Sequence, residues 1–191
     1  MEADPDAELM LRLKNGEDRI LNELMARWQQ SLVGFIYRYI GHETDALDLA
    51  QETFVRVYAT RRRYTVRGKF STWLFAIAAN LCRNYLRRRR RRGESVPETS
   101  DMEYAEFADR IQGLDDSPDQ AAMRSESISL IKVAIDKLPD DLKTVILLYE
   151  YQSLSYGEIS SLLGCSVKAV EMKLYRARHL LRERLLRNDL R

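Results

Sequence analysis

The chain has 191 residues, 45% of them hydrophobic, and its 31 Lys and Arg nearly balance 29 Asp and Glu, for a formal net charge of +2. That length suits one ordinary domain or two small ones, and the patterning below fits two. No run of about 18 apolar residues is present to span a bilayer and the acidic start is no signal peptide, so a cytoplasmic protein with no membrane insertion is expected.

With only 8 Gly and 4 Pro, no strand-like alternation and many Leu, Ala, Arg and Glu, the composition is one for helices, and the expected fold class is all-α. In chain order, Asp6 to Asn15 reads as a short amphipathic helix closed by Gly16. Asp18 to Tyr39 reads as a longer one, with Leu21, Leu24, Trp28, Leu32, Phe35 and Ile36 at helical spacing and Gly41 as its stop. A third should run from Thr44 to Thr60, and a fourth from Ser71 or Thr72 to Arg90, with Arg61 to Lys69 as the loop between them. These make one four-helix unit over residues 1–92. Residues 93–116 turn acidic and aperiodic and read as a flexible linker.

A second unit over 117–191 opens at Ser117-Pro118, an N-cap followed by proline at the first helical position, with a helix to Lys137. Leu138-Pro139 opens another through Tyr151. Ser155 and Glu158 have capping-box spacing for a short helix to Leu163, Gly164 breaks it, and Ser166 can cap a long last helix from Val167 to Asn188. Short helix, tight Gly turn, long helix is a helix-turn-helix pattern. Val167, Val170, Leu174, Ala177, Leu181 and Leu185 share one face; Lys168, Ala169, Met172, Tyr175 and Arg176 point away, free to enter a major groove. The same pattern also suits a helical hairpin with a solvated cationic face.

Charge is segregated along the chain. Residues 54–92 carry 13 Lys and Arg and no carboxylate, against 5 basic and 11 acidic residues in 1–53, and 1 basic and 9 acidic in 93–119. On the fourth helix Leu74, Ile77, Ala78, Leu81 and Tyr85 fall on one side, to pack inward. Trp73, Asn80, Arg83, Asn84 and Arg87 fall on an adjoining side, where guanidiniums suit phosphates, amides suit base edges and an indole suits a base freed from its stack. A core role for Trp73 and a solubilising role for the arginines is the blander alternative, but the six consecutive arginines 87–92 repel one another unless a polyanion is near. The third helix should bury Leu47, Ala50, Phe54, Val57 and Tyr58 and turn Asp45, Asp48 and Glu52 outward, with Gln51 and Val55 at the flank. That acidic face suits a basic protein surface better than DNA, and plain solvation is the commoner fate of such a face. Cys82 and Cys165 lack metal or redox spacing and read as small core residues, and with only His42 and His179, no phosphate loop and outward carboxylates, no enzyme, metal or cofactor site is expected.

Four stretches in order, Asp45 to Tyr58, Lys69 to Arg87, Leu138 to Leu148 and Leu154 to Arg178, resemble bacterial sigma factors of the extracytoplasmic-function group. The resemblance covers most of the chain. It implies a sigma-2 domain (1–92), an acidic linker (93–116) and a sigma-4 domain (117–191), with RNA polymerase core and promoter DNA as partners and an anti-sigma factor as regulator. It assigns Asp45, Asp48, Gln51, Glu52 and Val55 to the beta-prime clamp helices, with the beta flap as a further polymerase contact. It assigns Lys69, Phe70, Ser71, Thr72, Trp73, Asn80, Arg83, Asn84 and Arg87 to the minus-10 element held as an opened strand. Ser166, Lys168, Ala169, Glu171, Met172, Lys173, Arg176 and Arg178 are similarly assigned to the minus-35 duplex. The linker is implied to thread the polymerase cleft in place of RNA. A helix-turn-helix regulator that ignores polymerase is the rival reading, but it leaves the basic, aromatic first unit without a purpose.

The chain departs from the family pattern at a few positions. Lys168-Ala169 stands where Gly-Thr is frequent, and Glu171-Met172 stands where a basic and a small polar residue are, which bears on the promoter read. Leu47 replaces a frequent acidic residue. The run of arginines 87–92 is long for the family and is expected to add nonspecific DNA affinity.

Overall fold

The computed structural model describes residues 4–66, 68–94 and 130–188. Among them the regular elements are helices: α1 (Pro5–Lys14), α2 (Ile20–Ile40), α3 (Glu43–Thr60), a 3-10 turn (Arg61–Arg63), α4 (Phe70–Arg91), the described part of α5 (130–136), α6 (Asp140–Glu150), α7 (Tyr156–Leu163) and α8 (Val167–Asn188). The all-α expectation holds. Apart from Gly93 and Glu94, the acidic linker lies outside the described residues, as does the Ser117-Pro118 helix start.

Most helix ends have a local chemical cause. Asp4 caps α1 by accepting from the Asp6 N–H at 3.2 Å, with Pro5 next, so the helix starts slightly earlier than the apolar periodicity alone suggests. Gly41 ends α2 at φ 75°, a left-handed turn in which a side chain would be strained. In the second unit the Ser155 N–H donates to the Glu158 carboxylate at 2.8 Å and the Glu158 N–H donates back to Ser155 Oγ at 3.3 Å. This capping box starts α7 and Gly164, at φ 63°, ends it. Ser166 Oγ then accepts from the Ala169 N–H at 3.2 Å, so the turn between α7 and α8 is set by the Gly164 backbone on one side and the Ser166 side chain on the other.

The first unit packs around α2. Leu24, Leu32, Phe35 and Ile36 meet Leu74, Phe75 and Ala78 of α4, Ala46, Ala50 and Phe54 of α3, and Met10 and Leu13 of α1, all buried. Trp28 stands edge-on to Phe70 and Phe75 at 6.2 and 6.0 Å, and Phe35 to Phe75 at 5.2 Å. Such rings bury a large apolar area with a preferred geometry, so this cluster fixes where α4 begins. In the second unit Leu142, Val145 and Ile146 of α6, Ile159 of α7 and Val170, Leu174 and Ala177 of α8 close the helix-turn-helix core.

The two units also pack on each other, α2 and α4 against α6, and α4 against α7. The buried Tyr39 and Thr144 hydroxyls share a hydrogen bond of 2.8 Å, and the Asp140 carbonyl lies within reach of both, 2.7 Å from Thr144 and 3.3 Å from Tyr39. Arg38 of α2 sits over the Tyr151 ring at 4.5 Å, and Ser31 Oγ donates to Gln152 Oε1 at 2.8 Å.

Three face assignments change. The inward stripe of α3 is Ala46, Leu49, Ala50, Thr53, Phe54 and Val57. Leu47, about 100° around from Ala46, is 39% exposed, not buried. On α4 the inward set is broader than expected, including Phe70 and Phe75, because Trp28 and Phe35 of α2 cover them; Ile77 and Tyr85 are only half-buried. Val167, expected on the packed face of α8, is exposed in its first turn.

Candidate nucleic-acid interface

The loop before α4 and the first turns of that helix form a pocket lined by Arg63, Tyr64, Thr65, Gly68, Lys69, Thr72, Trp73 and Ala76, with Ser161 and Leu162 of α7 at its edge. Its apolar floor is made of rings: Trp73 lies edge-on to Tyr64 at 5.1 Å and near Phe70 at 6.2 Å. Tyr64 Oη and Thr72 Oγ1 are buried with no hydrogen-bond partner among the described residues. Burial, with a smaller contribution from Asp4, pushes the Tyr64 phenol up to about 12, so it stays a neutral donor. Neutral hydroxyls beside a half-buried indole offer both hydrogen bonding and stacking to a planar polar ligand such as a nucleobase.

The N-terminal acids hold this pocket in shape. Asp4, besides capping α1, accepts from the Phe70 N–H at 2.6 Å. Lys14 Nζ donates to the Tyr64 carbonyl at 2.8 Å, and Trp28 Nε1 donates to Asp6 at 3.0 Å. Asp4, Lys14 and Tyr64 were not singled out from the sequence. Asp4-Pro5, an N-cap signature ahead of an apolar period, was the available signal.

Of the residues expected at the minus-10 element, Lys69, Thr72 and Trp73 line the pocket. Phe70 is fully buried and Ser71 nearly so, so neither faces a ligand: Phe70 is needed by the core beneath Trp73. Two to four helical turns on, Asn80, Asn84 and Arg87 are exposed and Arg83 half-buried, its guanidinium donating to Asn80 Oδ1. Arg83, Arg87, Arg90 and Arg91 line a second hollow with Asp140 and Asp141 of α6.

The acidic helix α3 presents a different surface. An apolar groove between α2 and α3 is lined by Leu21, Met25, Val33, Leu47, Phe54 and Val55, among others. Val55 is 64% exposed, and Asp48 and Gln51 stand exposed beside it. Asp45 and Glu52 are less free. Asp45 accepts from the Tyr85 hydroxyl at 2.5 Å and lies 2.9 Å from His42, while Glu52 pairs with Arg56 at 2.6 Å.

On α8, Ser166, Lys168, Glu171, Met172 and Arg176 are exposed and Ala169 half-exposed, with Tyr175 beside them. Lys168 lies 3.7 Å from Glu171, a loose surface pair. Lys173 and Arg178 are tied back to α6, to Asp141 at 2.8 Å and to Glu150 at 2.8 Å, which holds Asp141 below the ordinary aspartate range. The exposed face of α8 that is free of ties to α6 is therefore centred on Lys168, Glu171, Met172 and Arg176. His179 is an exposed polar residue on the same helix.

A four-helix unit with an apolar, acid-edged groove and a cationic pocket floored by rings, joined in one chain to a helix-turn-helix, defines a two-unit helical protein built to hold nucleic acid and a protein partner. Residues 24–92 match the family model "Sigma-70 region 2" and residues 128–181 match "Sigma-70, region 4". The RNA polymerase sigma-H factor of Pseudomonas aeruginosa is 34% identical over 177 residues, 91% of this chain and 90% of that protein. The ECF RNA polymerase sigma-E factor of Haemophilus influenzae is 31% identical over 182 residues, 94% and 95% of the two chains. The structure of CnrH in complex with the cytosolic domain of CnrY is similar with a TM-score of 0.70 and 26% identity, covering 97% of this chain and 99% of that one. The sigma factor RpoE of Bartonella quintana, solved in complex with the anti-sigma factor NepR, shares the fold at a TM-score of 0.67 and 20% identity over 86% and 95% of the chains.

The chain belongs to the sigma-70 family of RNA polymerase sigma factors, in the extracytoplasmic-function (ECF) group. The region 2 match over residues 24–92 disfavours a helix-turn-helix regulator that ignores polymerase, since that region is the basic, aromatic unit such a regulator leaves unexplained. Among the described residues no helix is long and apolar enough to cross a membrane.

Proposed function

We propose that this chain acts as a promoter-specificity subunit by binding alone, with no chemical step of its own, and that its surfaces divide the work as follows. The groove between α2 and α3, with Leu47, Asp48, Gln51 and Val55 at its mouth, docks on the polymerase core; Asp45 and Glu52 support it from the side. The pocket of Lys69, Thr72, Trp73 and Tyr64 receives a base extruded from the minus-10 strand, and Asn80, Arg83, Asn84 and Arg87 carry the flanking backbone and base edges. Extrusion costs a few kcal/mol, and stacking contributes about 1–3 kcal/mol per base, so one captured base offsets much of it. The exposed face of α8 reads the minus-35 duplex, Lys168 and Arg176 on phosphate or guanine edges and Glu171 as an acceptor for a cytosine amino group. Residues 1–92 and 117–191 are the two functional domains, joined by the acidic segment. Family membership supports an anti-sigma factor as regulator and the cytoplasm as the site of action.

The observation that carries this reading is the pocket: two unpartnered hydroxyls, an indole and a lysine meet at the start of the one helix that ends in a run of arginines. In vitro transcription with purified bacterial core polymerase and genomic fragments tests it. Discrete promoter-dependent transcripts that vanish with Trp73→Ala are the expected result; absence of transcripts, with no co-elution of chain and core, defeats it.

A further inference from the structure

We propose that α1 is a brace that presets the base-capture pocket, with Lys14 and Asp4 as positioning residues for discrimination of the extruded base; this rests on the assignment of that pocket made above. One wall of the pocket is made by Tyr64, Thr65, Gly68 and Lys69, between the 3-10 turn and α4. α4 has no side-chain cap of its own, since Lys69 stands at its N-cap position. A carboxylate distant in sequence takes that place. Asp4 divides its two oxygens: Oδ1 accepts from the Asp6 N–H at 3.2 Å, at the start of α1, and Oδ2 accepts from the Phe70 N–H at 2.6 Å, at the start of α4. One side chain thus caps two helices and fixes them to each other. At the other end of α1, Lys14 Nζ donates to the Tyr64 carbonyl at 2.8 Å. The two ends of a ten-residue helix therefore hold the two feet of the pocket wall, Phe70 and Tyr64.

A helix can hold a loop only if it is itself held. Ala7, Leu9, Met10 and Leu13 of α1 are buried, and Asp6 accepts from Trp28 Nε1 at 3.0 Å and from Arg27 at 2.8 Å. Trp28 in turn stands edge-on to Phe70, so the brace and the first residue of α4 meet the same ring. Between the two ties Thr65 and Val66 are exposed, so packing does little for this stretch and the hydrogen bonds at its feet set its path. Tyr64 is the residue whose place matters most. Its carbonyl is held by Lys14, its ring lies edge-on to Trp73 at 5.1 Å, and its buried hydroxyl has no hydrogen-bond partner among the described residues. A pocket that must stack and hydrogen-bond one base is sensitive to a displaced wall, and a wall in place only part of the time weakens binding by that fraction. Lys14 is half-buried and its ammonium is engaged by the carbonyl, so it acts through Tyr64 and not on DNA.

The test uses holoenzyme reconstituted from the full chain and purified bacterial core polymerase, with fluorescein-labelled fork-junction DNA read by fluorescence anisotropy. Each base of the opened minus-10 strand is replaced in turn by an abasic unit, and the base whose removal weakens the unaltered holoenzyme most marks the captured position. Lys14→Met removes the donor and keeps the aliphatic stem, and Lys14→Arg restores a donor. Arg12→Met removes the same charge from the exposed side of α1. Lys14→Met is expected to lose about tenfold in affinity for the intact fork and to stay within about twofold on the abasic one, with Lys14→Arg recovering most of the loss and Arg12→Met unchanged on both. Asp4→Ala, which frees the other foot, is expected to show the same selective loss. Melting temperature is followed for each variant, and Lys14→Met decides if Asp4→Ala is unfolded. Equal losses on the two forks, which mark Lys14 as a phosphate contact, or an unchanged ratio of intact to abasic affinity overturn the proposal. The two readings fail separately: if the unaltered holoenzyme distinguishes no base from an abasic unit, base capture fails and the brace with it, and if it does while Lys14→Met keeps the full ratio, the brace fails alone.

Discussion

The Tyr85 hydroxyl donates to the Asp45 carboxylate at 2.5 Å and in turn accepts from Arg89 at 2.6 Å, so the cationic helix α4 is bolted to the acidic helix α3 through a residue expected to face polymerase. Burial, with the Asp45 hydrogen bond second, raises the Tyr85 phenol pKa and keeps it a donor. Asp45 is thus more a strut than a docking group. Asp45→Ala and Tyr85→Phe should each lower unfolding stability by about 1–2 kcal/mol and show strong coupling in a double-mutant cycle. Asp48→Ala should leave stability within about 0.5 kcal/mol and instead weaken core binding. Urea unfolding and co-elution with core polymerase separate the two effects, and equal melting losses at Asp45 and Asp48 would contradict the distinction.

The groove on the far side of α2 gives a sharper case. Val55→Arg should fold normally, because the side chain already stands in solvent, yet it places a cation where a basic partner and an apolar contact are proposed. Loss of co-elution with core polymerase at an unchanged melting temperature is the expected result. Retained co-elution would move the docking surface elsewhere.

Much of this was legible in the chain because helix boundaries here are written in local chemistry. Ser155 with Glu158, Gly164 and Ser166 announce the helix-turn-helix, and Gly41 announces the end of α2; all five act in the structure as their residue types demand. Faces were harder. A wheel with apolar residues on two sides cannot say which side meets the core: Phe70 went to the interior against Trp28 of α2, while Trp73 stayed at the pocket edge. Contacts between residues far apart in sequence left no periodic trace. Neither the Asp4–Phe70 hydrogen bond nor the Arg90–Asp140 pair could be read from spacing.

The neighbouring rings Phe70 and Trp73 should separate in their effects. Phe70→Ala opens a cavity in the aromatic cluster and should cost about 3–5 kcal/mol of stability. Trp73→Ala should cost less in stability but weaken capture of opened minus-10 strand, by about 1–3 kcal/mol if one base stacks there. Thermal unfolding and binding to a fork-junction DNA by the reconstituted holoenzyme measure the two. A Trp73→Ala variant that melts early yet binds the fork normally would return the indole to the core.

Acid should loosen the contact between α7 and the pocket. Burial alone would raise the Glu158 carboxyl, but the Ser155 hydroxyl and N–H, with Lys69, outweigh it, and the folded pKa lies below the ordinary 4.5. A carboxylate depressed in the folded state contributes stability that is present above its unfolded value and is lost as pH falls through the folded one. The unaltered chain should therefore lose part of its α7 cap below about pH 4.5, and Glu158→Gln should flatten that part of the profile while lowering stability at neutral pH. Melting temperature against pH for the two chains checks it; parallel profiles would remove Glu158 from the balance.

The arginine run divides by partner. Arg89 reaches Tyr85 and Asp45, Arg90 holds Asp140, and Arg92 lies 3.7 Å from Glu94, whereas Arg88 and Arg91 form no ion pair among the described residues. Besides Arg87, already assigned to the minus-10 strand, these two exposed guanidiniums at the end of α4 are available for phosphate, and each phosphate neutralised on duplex steepens the fall of log affinity with log salt by about 0.9. Arg88→Gln with Arg91→Gln should therefore reduce the slope for holoenzyme on promoter DNA by close to 2, with promoter choice unchanged, because phosphate contacts carry no sequence information. If the slope stays as it was, these charges do not meet DNA, and the run serves only the internal pairs of Arg89 and Arg90.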